Sequence, residues 1–288
     1  MSLLSRLRSL RTRSAATSPA SPSFSPELLP EIKQTGAWWR LLPFTLYRIK
    51  LADDLFTAPG DGFDASRDIR IRIVLDLCGG SLADKTIVDL GCNEGGFAVE
   101  FARLGAKESV GIEAREVSWL RCELVRKLAR LQNLKFVRGD VMVELARWPS
   151  SFDVVFASGI LYHVTDPHQL LSDIFAACRG AVLIDTHVAR REAPSHVCSE
   201  EIVSRTFGGK SYQGRLFPEV SDTARESQLW AAWGPNNTSF WLLEDELLTM
   251  MRAIGFHEIQ KVDPTKYGGD ENSWAVDKTN RIMVVGKK

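Results

Sequence analysis

A glycine-rich turn follows a short apolar run in the stretch Ile87-Val-Asp-Leu-Gly-Cys-Asn-Glu-Gly-Gly-Phe97. Glycine lets the backbone turn sharply and lets a ligand approach it closely. A helix that begins after such a turn directs free N–H groups, and the positive end of its dipole, at that ligand. The stretch therefore predicts a strand, a binding loop and a helix, with the acid Asp89 close to the end of the strand.

Two acidic residues follow at positions where a bound nucleoside needs them. Glu113 ends the next predicted strand, where a carboxylate can accept hydrogen bonds from both ribose hydroxyls. Asp140 follows a third strand, where it can bind the amino group of an adenine. Asn93 stands where a dinucleotide-binding loop has its second glycine, and its side chain would crowd a pyrophosphate. S-adenosyl-L-methionine, which has no pyrophosphate, therefore fits better than NAD, although an NAD-dependent oxidoreductase remains an alternative.

Alternating strands and helices must position these residues. Strands are predicted at 86–90, 110–112, 134–137, 152–157, 181–184, 257–262 and 281–285, and helices at 96–104, 116–131, 167–178 and 244–254. Short β-branched strands that alternate with amphipathic helices are typical of a parallel sheet covered on both faces. The pattern predicts an α/β fold with a doubly wound, mostly parallel seven-stranded sheet, Rossmann-like. On the helix 116–131, one face is predicted to be buried, formed by Val117, Leu120, Leu124, Leu128 and Leu131.

The remaining segments suggest the domain organisation. Residues 1–25 carry four arginines and no acid, as expected of a disordered basic tail or an organelle transit peptide. Residues 26–288 are predicted to form one domain, with an aromatic cover segment at 26–64. An aromatic-rich insertion at 187–240 follows the fifth predicted strand. Because a connection of this length is often functional, we expect a lid or an acceptor site there.

Composition excludes several classes of protein. The chain has 288 residues, 36 basic and 36 acidic, so no net charge attracts it to nucleic acid. No apolar run is long enough for a membrane span. Five cysteines without a C-x-x-C pair favour a reducing compartment, and we expect a cytoplasmic protein, or an organelle protein if the basic tail is a transit peptide. The spacing of His163, His168, His187 and His196 matches no known ligand set, so no metal is predicted.

The first motif resembles that of the class I S-adenosylmethionine-dependent methyltransferases. Asp89, Gly91 and Gly95 match that motif, and Asn93 departs from its middle glycine, a common variation in the family. The resemblance covers residues 87–184 well and the segment from 244 onward more loosely. It implies the Rossmann-like fold and S-adenosyl-L-methionine as cofactor. A non-catalytic binding module that keeps this fold remains a further alternative.

A second run, Phe156-Ala-Ser-Gly-Ile-Leu-Tyr-His-Val-Thr-Asp-Pro167, is similar to one in the tRNA wobble-uridine carboxymethyltransferase group. The segment Pro43-Phe-Thr-Leu-Tyr47 also resembles one in that group. Members hold the extra carboxylate of a modified cofactor with cationic and phenolic side chains. Leu41 stands where the group has a lysine, and Tyr162 alone supplies no charge. Transfer of a plain methyl group is therefore expected, with Arg40 able to compensate only if the register shifts.

The resemblance also implies roles for individual residues. Expected cofactor contacts are Asp89, Gly91, Cys92, Asn93 and Gly95 around the methionine part, Glu113 at the ribose, Asp140 and Val141 at the adenine, and Ser158 and Tyr162 beside the sulfonium. An aromatic face near a sulfonium cation gains about 1 kcal/mol of cation–π attraction. The expected catalytic residues are Tyr162, His163 and His187, the histidines as candidate bases, with Asp185 as a weaker one.

The acceptor is predicted less directly. Zero net charge, together with Trp and Phe in the covering segments, favours a small, partly apolar molecule. Transfer RNA remains possible, but it would need a basic track for its phosphates. Arg205, Lys210 and Arg215 lie close together in the insertion, and neighbouring acids dilute their charge. Whether oxygen, nitrogen or carbon is methylated, and whether a base is used, stays open.

Overall fold

The computed structural model describes residues 47–52, 55–57, 63–192, 198–219, 237–269 and 280–288. The strands are β1 (Lys50–Ala52), β2 (Leu55–Phe56), β3 (Thr86–Leu90), β4 (Glu108–Glu113), β5 (Leu134–Arg138), β6 (Phe152–Ser158), β7 (Cys178–His187), β8 (Val203–Phe207), β9 (Lys210–Pro218), β10 (Thr238–Leu242), β11 (His257–Lys261) and β12 (Arg281–Lys287). The helices are α1 (Ile69–Leu77), α2 (Gly96–Arg103), α3 (Glu116–Ala129), α4 (Val141–Glu144), α5 (Pro167–Ala177) and α6 (Glu244–Ile254). The basic tail, Arg40 and Leu41 lie outside the described residues.

A seven-stranded sheet in the order β11-β12-β7-β6-β3-β4-β5 forms the centre of the fold. Strands β3 to β7 run parallel, whereas β12 is antiparallel to β7 and to β11. The predicted doubly wound, mostly parallel sheet is therefore confirmed. The chain winds outward from β3 through β4 to β5 and then returns to β6 on the other side of β3. The carboxyl ends of β3 and β6 thus mark the topological switch point, where such sheets bind ligands.

The structure corrects the predicted face of α3 in part, since Leu128 is buried and Leu124 packs on the core as predicted. Leu120 is 53% exposed, whereas Arg121 is buried and forms an ion pair with the buried Glu94. The buried residues of this helix are Ser118, Arg121, Cys122, Val125, Leu128 and Ala129. A charged side chain occupies the inner face because its partner lies in the binding loop, which hydropathy alone does not reveal.

Two other elements differ from their predictions. The fifth predicted strand is longer: helix α5 ends at Ala177, and β7 begins at once with Cys178 and continues to His187. Helix α1 had no counterpart in the sequence prediction. Its Ile-Arg-Ile-Arg-Ile alternation has the period of a strand, but the side chain of Asp68 caps its first turn.

The insertion contains a three-stranded antiparallel sheet in the order β10-β9-β8, which we call the insertion sheet. Phe240 and Leu242 of this sheet pack into the same hydrophobic core as the central strands. Its backbone is also tied to the main body: Phe240 N–H donates to the carbonyl of Val164 (3.0 Å), and Ala189 N–H to that of Leu242 (2.8 Å). The two sheets therefore share one hydrophobic core, and the single-domain organisation stays a prediction. Trp230 and Trp233 lie outside the described residues.

None of the helices in the described ranges combines the length and the hydropathy that crossing a bilayer requires.

Candidate active site

The loop between β3 and α2 has positive φ at alternate residues. The φ angles are +65° at Gly91, +53° at Asn93 and +81° at Gly95. Asparagine tolerates this left-handed conformation better than most residues, which explains how it replaces the middle glycine. A Cβ on Gly95 would lie 2.6 Å from Cζ of Phe136. Gly95 is therefore required by packing against β5, in addition to any ligand above it.

Asp89 presents an unpaired carboxylate oxygen beneath this loop. Its side chain is buried, and its Oδ2 has no hydrogen-bond partner among the described residues. Burial raises the pKa of Asp89 from 3.8 to about 7. A buried acceptor without a partner fits a ligand that brings a donor. The ammonium group of the methionine part of S-adenosylmethionine is such a donor.

Glu113 ties the binding loop to the end of β4. Its Oε2 accepts from the backbone N–H of Asn93 (2.9 Å), and its Oε1 from the backbone N–H of Arg115 (2.7 Å). Burial raises the pKa of Glu113. Each carboxylate oxygen can accept more than one hydrogen bond, so both can also serve the ribose hydroxyls.

The side chains of Asp140, Val141 and Cys92, three predicted cofactor residues, have different surroundings. Asp140 uses Oδ1 to cap α4 through the backbone N–H of Met142 (2.9 Å), which leaves Oδ2 for an adenine amino group. Val141 packs into the core. The Cys92 side chain is buried and hydrogen-bonds to Cys122. Because both side chains face the interior, we expect Val141 and Cys92 to contact the cofactor through their main chains, and their place in the cofactor site stays a prediction.

Ser158, at the end of β6, belongs to a buried charge cluster. Its hydroxyl donates to Oδ2 of Asp185 (2.7 Å) and accepts from Nη1 of Arg70 (2.6 Å). Asp185 also accepts from Arg70 (2.8 Å) and twice from Arg281 (2.7 and 2.9 Å). Burial alone would raise the pKa of Asp185, but the charge and hydrogen bonds of Arg281, with Arg70 and Ser158, lower it to about 2. Asp185 is saturated with donors, so the expectation that it is a weak candidate base is wrong.

Arg281 is a site residue that the sequence reasoning missed. It begins β12 opposite His187, and its guanidinium lies 5.7 Å from the ring centroid of Tyr162, to which it also donates a hydrogen bond. Tyr162 by itself supplies no charge, as expected from the sequence, but Arg281 places a cation beside it. Arg281 reaches the site because of the register of β12 against β7. This register is set by antiparallel pairing in the folded sheet, so the sequence alone does not reveal it.

The three predicted catalytic residues come together at the carboxyl ends of β6 and β7. The ring of Tyr162 lies 4.2 Å from that of His163 and 4.6 Å from that of His187. Trp241 of β10 stacks on His187 at 5.0 Å, and its Nε1 donates to the carbonyl of Tyr162 (2.8 Å). Phe217 of β9 also stacks on Trp241, at 4.9 Å. The insertion sheet thus contributes aromatic residues to this cluster.

An acid from the insertion also reaches this cluster. Nδ1 of His163 lies 3.2 Å from Oε1 of Glu219, whose side chain is only 2% exposed. The sequence reasoning counted Glu219 only as a charge that dilutes a basic track. Its position just after β9 could not be inferred, because the insertion sheet itself was not predicted.

The described part of the predicted cover segment packs on the start of α2. The rings of Tyr47 and Phe63 each lie 5.9 Å from that of Phe97, and the Tyr47 backbone N–H donates to Oε2 of Glu94 (3.1 Å). Arg70 lies 4.4 Å over the Phe97 ring. Trp38, Trp39 and Phe44 lie outside the described residues. This segment therefore adjoins the binding loop on the side of Asp89 and Glu94.

Within the described ranges, no group of three or more His, Cys, Asp or Glu side chains is arranged to hold a metal ion. His196 lies outside those ranges.

The chain is similar to known proteins. A family model described as "Methyltransferase domain" matches residues 81–234, more than half of the chain. A tRNA U34 carboxymethyltransferase of Campylobacter fetus subsp. fetus is 30% identical over 114 residues, which cover 39% of this chain and 40% of that protein. One of Helicobacter acinonychis is 25% identical over 171 residues, which cover 58% of this chain and 60% of that protein. The chain spans about half the length of the curated relatives it matches.

A solved structure shares the fold over almost the whole chain. The N-terminal domain of EvdMO1, crystallised in the presence of SAH and D-fucose, superposes with a TM-score of 0.66 at 21% identity and covers 91% of this chain and 99% of that chain. This likeness shows the fold. Together with the glycine loop and the acids that follow it, the family match shows that the chain belongs to the methyltransferase-domain family, as a class I enzyme that depends on S-adenosylmethionine.

Proposed function

We propose that this enzyme transfers a plain methyl group to a small, partly apolar acceptor. The observation that carries the proposal is the aromatic cluster of Tyr162, His187, Trp241 and Phe217 at the ends of β6 and β7. Aromatic side chains with a few polar groups among them are typical of the lining of small-molecule sites. The cluster lies beside the predicted sulfonium position at Ser158 and Tyr162, where an acceptor must approach.

Different residues of the site would bind the cofactor and position the acceptor. S-adenosylmethionine, when bound, supplies a methyl group on a positively charged sulfur. Asp89 and Glu113 would hold its ammonium and ribose groups, and the loop from Gly91 to Gly95 would lie along its methionine part. The ring of Tyr162 would stabilise the sulfonium by about 1 kcal/mol. The aromatic cluster would hold the acceptor in line with the methyl carbon, and such orientation supplies much of the rate.

The charges of the insertion sheet argue against RNA as acceptor. Arg215 is buried, and its guanidinium donates to the backbone carbonyls of Arg190, Arg191, Ser199 and Glu200. Arg205 lies over the ring of Phe240 at 5.6 Å. Arg215 is thereby removed from the basic track that the sequence suggested, and binding of RNA phosphates depends on accessible cations.

The charge cluster favours a plain methyl group over a carboxymethyl group. A carboxylated cofactor would need a cation whose charge is available, because burying an unpaired carboxylate costs several kcal/mol. Arg281 lies beside Tyr162, but Asp185 already engages it through two hydrogen bonds. Arg70 is shared in the same way between Asp68 and Asp185. The two arginines and two aspartates balance, which leaves no excess positive charge for a second carboxylate.

The second candidate function is transfer of a methyl or carboxymethyl group to tRNA. The names of the curated relatives suggest it, and the position of Arg281 beside Tyr162 is the observation in its favour. We further propose a reducing compartment, the cytoplasm or an organelle, because all five cysteines are free.

Cell extract incubated with the enzyme and methyl-labelled S-adenosylmethionine tests the proposal. After the reaction, the extract is separated into RNA and small molecules, and each fraction is analysed by mass spectrometry. Label in a small, partly apolar product supports the proposal. Label confined to RNA overturns it.

A further inference from the structure

Glu219 and His163 form a buried acid–imidazole pair in the candidate acceptor site. Oε1 of Glu219 lies 3.2 Å from Nδ1 of His163, and the two side chains are 2% and 16% exposed. The backbone N–H of Glu219 donates to the carbonyl of Asn237 (2.9 Å), which fixes the acid between the ends of β9 and β10. Nε2 of His163 has no hydrogen-bond partner within the described ranges. The pair therefore leaves one ring nitrogen, on the side away from the acid, for another group.

We infer that the acceptor nucleophile is a hydroxyl group, and that His163, positioned by Glu219, takes its proton. This inference rests on the proposed function and adds the chemical class of the acceptor. A hydroxyl is a weak nucleophile and needs a base within hydrogen-bond reach, whereas an amine or a thiolate does not. A carboxylate that accepts from Nδ1–H holds the imidazole in the tautomer whose Nε2 is a free base, and stabilises the imidazolium that forms.

The step balances as a single displacement. The acceptor oxygen attacks the methyl carbon while its proton passes to Nε2 of His163. The bond from the methyl carbon to sulfur breaks, and its electron pair stays on sulfur. The products are a methyl ether, S-adenosylhomocysteine and a protonated His163, which then loses its proton to water.

Other groups in the cluster are less suited to act as the base. Asp185 already accepts hydrogen bonds from Ser158, Arg70 and Arg281. Burial raises the pKa of Tyr162, which keeps its hydroxyl protonated. His187 is held between Trp241 and Tyr162 by ring contacts. Asp185 and Tyr162 are therefore unsuited as the base, whereas His163 is an imidazole held by an acid.

Ser239 is a second polar residue next to the aromatic cluster. Ser239 is directly opposite Phe217 in the β9–β10 pairing, on the face of β10 that also carries Trp241. Its Oγ is buried and has no hydrogen-bond partner among the described residues. An unpaired hydroxyl in an otherwise aromatic wall is suited to hydrogen-bond a polar group of the acceptor.

Nitrogen NMR of the full chain, saturated with S-adenosylhomocysteine and labelled with ¹⁵N at its five histidines, tests the pairing without an acceptor. The His163 signals are assigned from their loss in His163→Gln. We expect the Nδ1–H tautomer at His163, which is the less common one for free imidazole, and its loss in Glu219→Ala. The matched control is Glu201→Ala, which removes an exposed acid from the same insertion. An Nε2–H tautomer in the unaltered protein, or no change in Glu219→Ala, overturns the inference.

The kinetics of methyl transfer provide a second test. Once the labelled product is known, Glu219→Ala should lower kcat by roughly tenfold or more, since general-base catalysis contributes about 10²–10⁴-fold. Affinity for S-adenosylhomocysteine should stay within about twofold, because Glu219 lies outside the cofactor loop. Label on a nitrogen, sulfur or carbon atom of a small product overturns this inference and leaves the proposed function standing. Label confined to RNA overturns the proposed function. The tautomer measurement needs no acceptor, so it then decides by itself whether Glu219 positions His163.

Discussion

Asp89 lowers the stability of the ligand-free protein at neutral pH. Its buried Oδ2 has no partner, and burial raises its pKa from 3.8 to about 7. Between these values the folded chain holds a proton that the unfolded chain has lost, so stability falls as pH rises. The full shift corresponds to a cost on the order of 4 kcal/mol above the folded pKa. A ligand that donates to the ionised oxygen would recover part of this cost.

The first prediction concerns Asp89→Asn. From about pH 5 to about pH 7.5, the free energy of unfolding of the ligand-free protein should fall less in the variant than in the unaltered protein, because the titrating group is gone. Affinity for S-adenosylhomocysteine should fall at the same time. Urea unfolding at both pH values and calorimetry measure the two effects, with the exposed Glu192→Gln as control. An unchanged pH dependence in Asp89→Asn contradicts the argument.

The second prediction concerns Glu113→Ala. The change removes a charged acceptor from two ribose hydroxyls, and hydrogen bonds to charged groups contribute about 1.5–3 kcal/mol. It also releases the backbone N–H groups of Asn93 and Arg115. We expect S-adenosylhomocysteine affinity to fall by about tenfold or more. Calorimetry with Glu116→Ala, an exposed acid close by, is the comparison, and a change below about twofold would remove Glu113 from the ribose site.

At the scale of elements, the binding loop depends on β5 beneath it. Gly95 and Gly105 have similar φ angles, +81° and +86°. A Cβ at Gly95 meets Phe136 at 2.6 Å, whereas one at Gly105 meets nothing within 4 Å. The two glycines thus share the backbone requirement and differ only in the space around them.

The third prediction uses this pair. Gly105→Ala should cost only the strain of a positive φ, roughly 1–2 kcal/mol in the free energy of unfolding. Gly95→Ala should cost more, because the Phe136 ring must also move, and it should weaken cofactor binding. Urea denaturation of both variants checks the difference. Equal losses of stability would show that the loop does not press on β5.

A structural feature can be predicted from the sequence when the residues that determine it are close together in the chain. The strand β3 and its glycine loop were predicted because both carry their own signals, an apolar run and positive-φ residues. The inner face of α3 was predicted only in part, because Arg121 is buried by its pairing with Glu94, a contact between distant segments. Arg281 and Glu219 were missed for the same reason, since each reaches the site through strand pairing that only the folded sheet defines.

At the scale of the whole molecule, the insertion sheet and the central sheet share one hydrophobic core. Phe240 and Leu242 pack with residues of β3, β6 and β7. The amide of Phe240 is bonded to Val164, outside the insertion. Elements that share a core are expected to unfold together.

The fourth prediction follows from this shared core. Native-state hydrogen exchange should give the amide of Phe240 an opening free energy close to that of the central strands, such as the amide of Ile184 in β7. A clearly lower opening free energy for Phe240 would show that the insertion sheet opens by itself, and would favour a separate unit.

The central claim is that this site uses S-adenosylmethionine as the donor of a plain methyl group. Competition binding between S-adenosylmethionine and its carboxylated analogue tests it most directly, because no acceptor is needed. The account predicts that S-adenosylmethionine binds at least as tightly. Arg281 already donates two hydrogen bonds to Asp185, so the charge cluster has no excess positive charge for the additional carboxylate of the analogue. Tighter binding of the carboxylated analogue would contradict the account and make carboxymethyl transfer to tRNA the leading function.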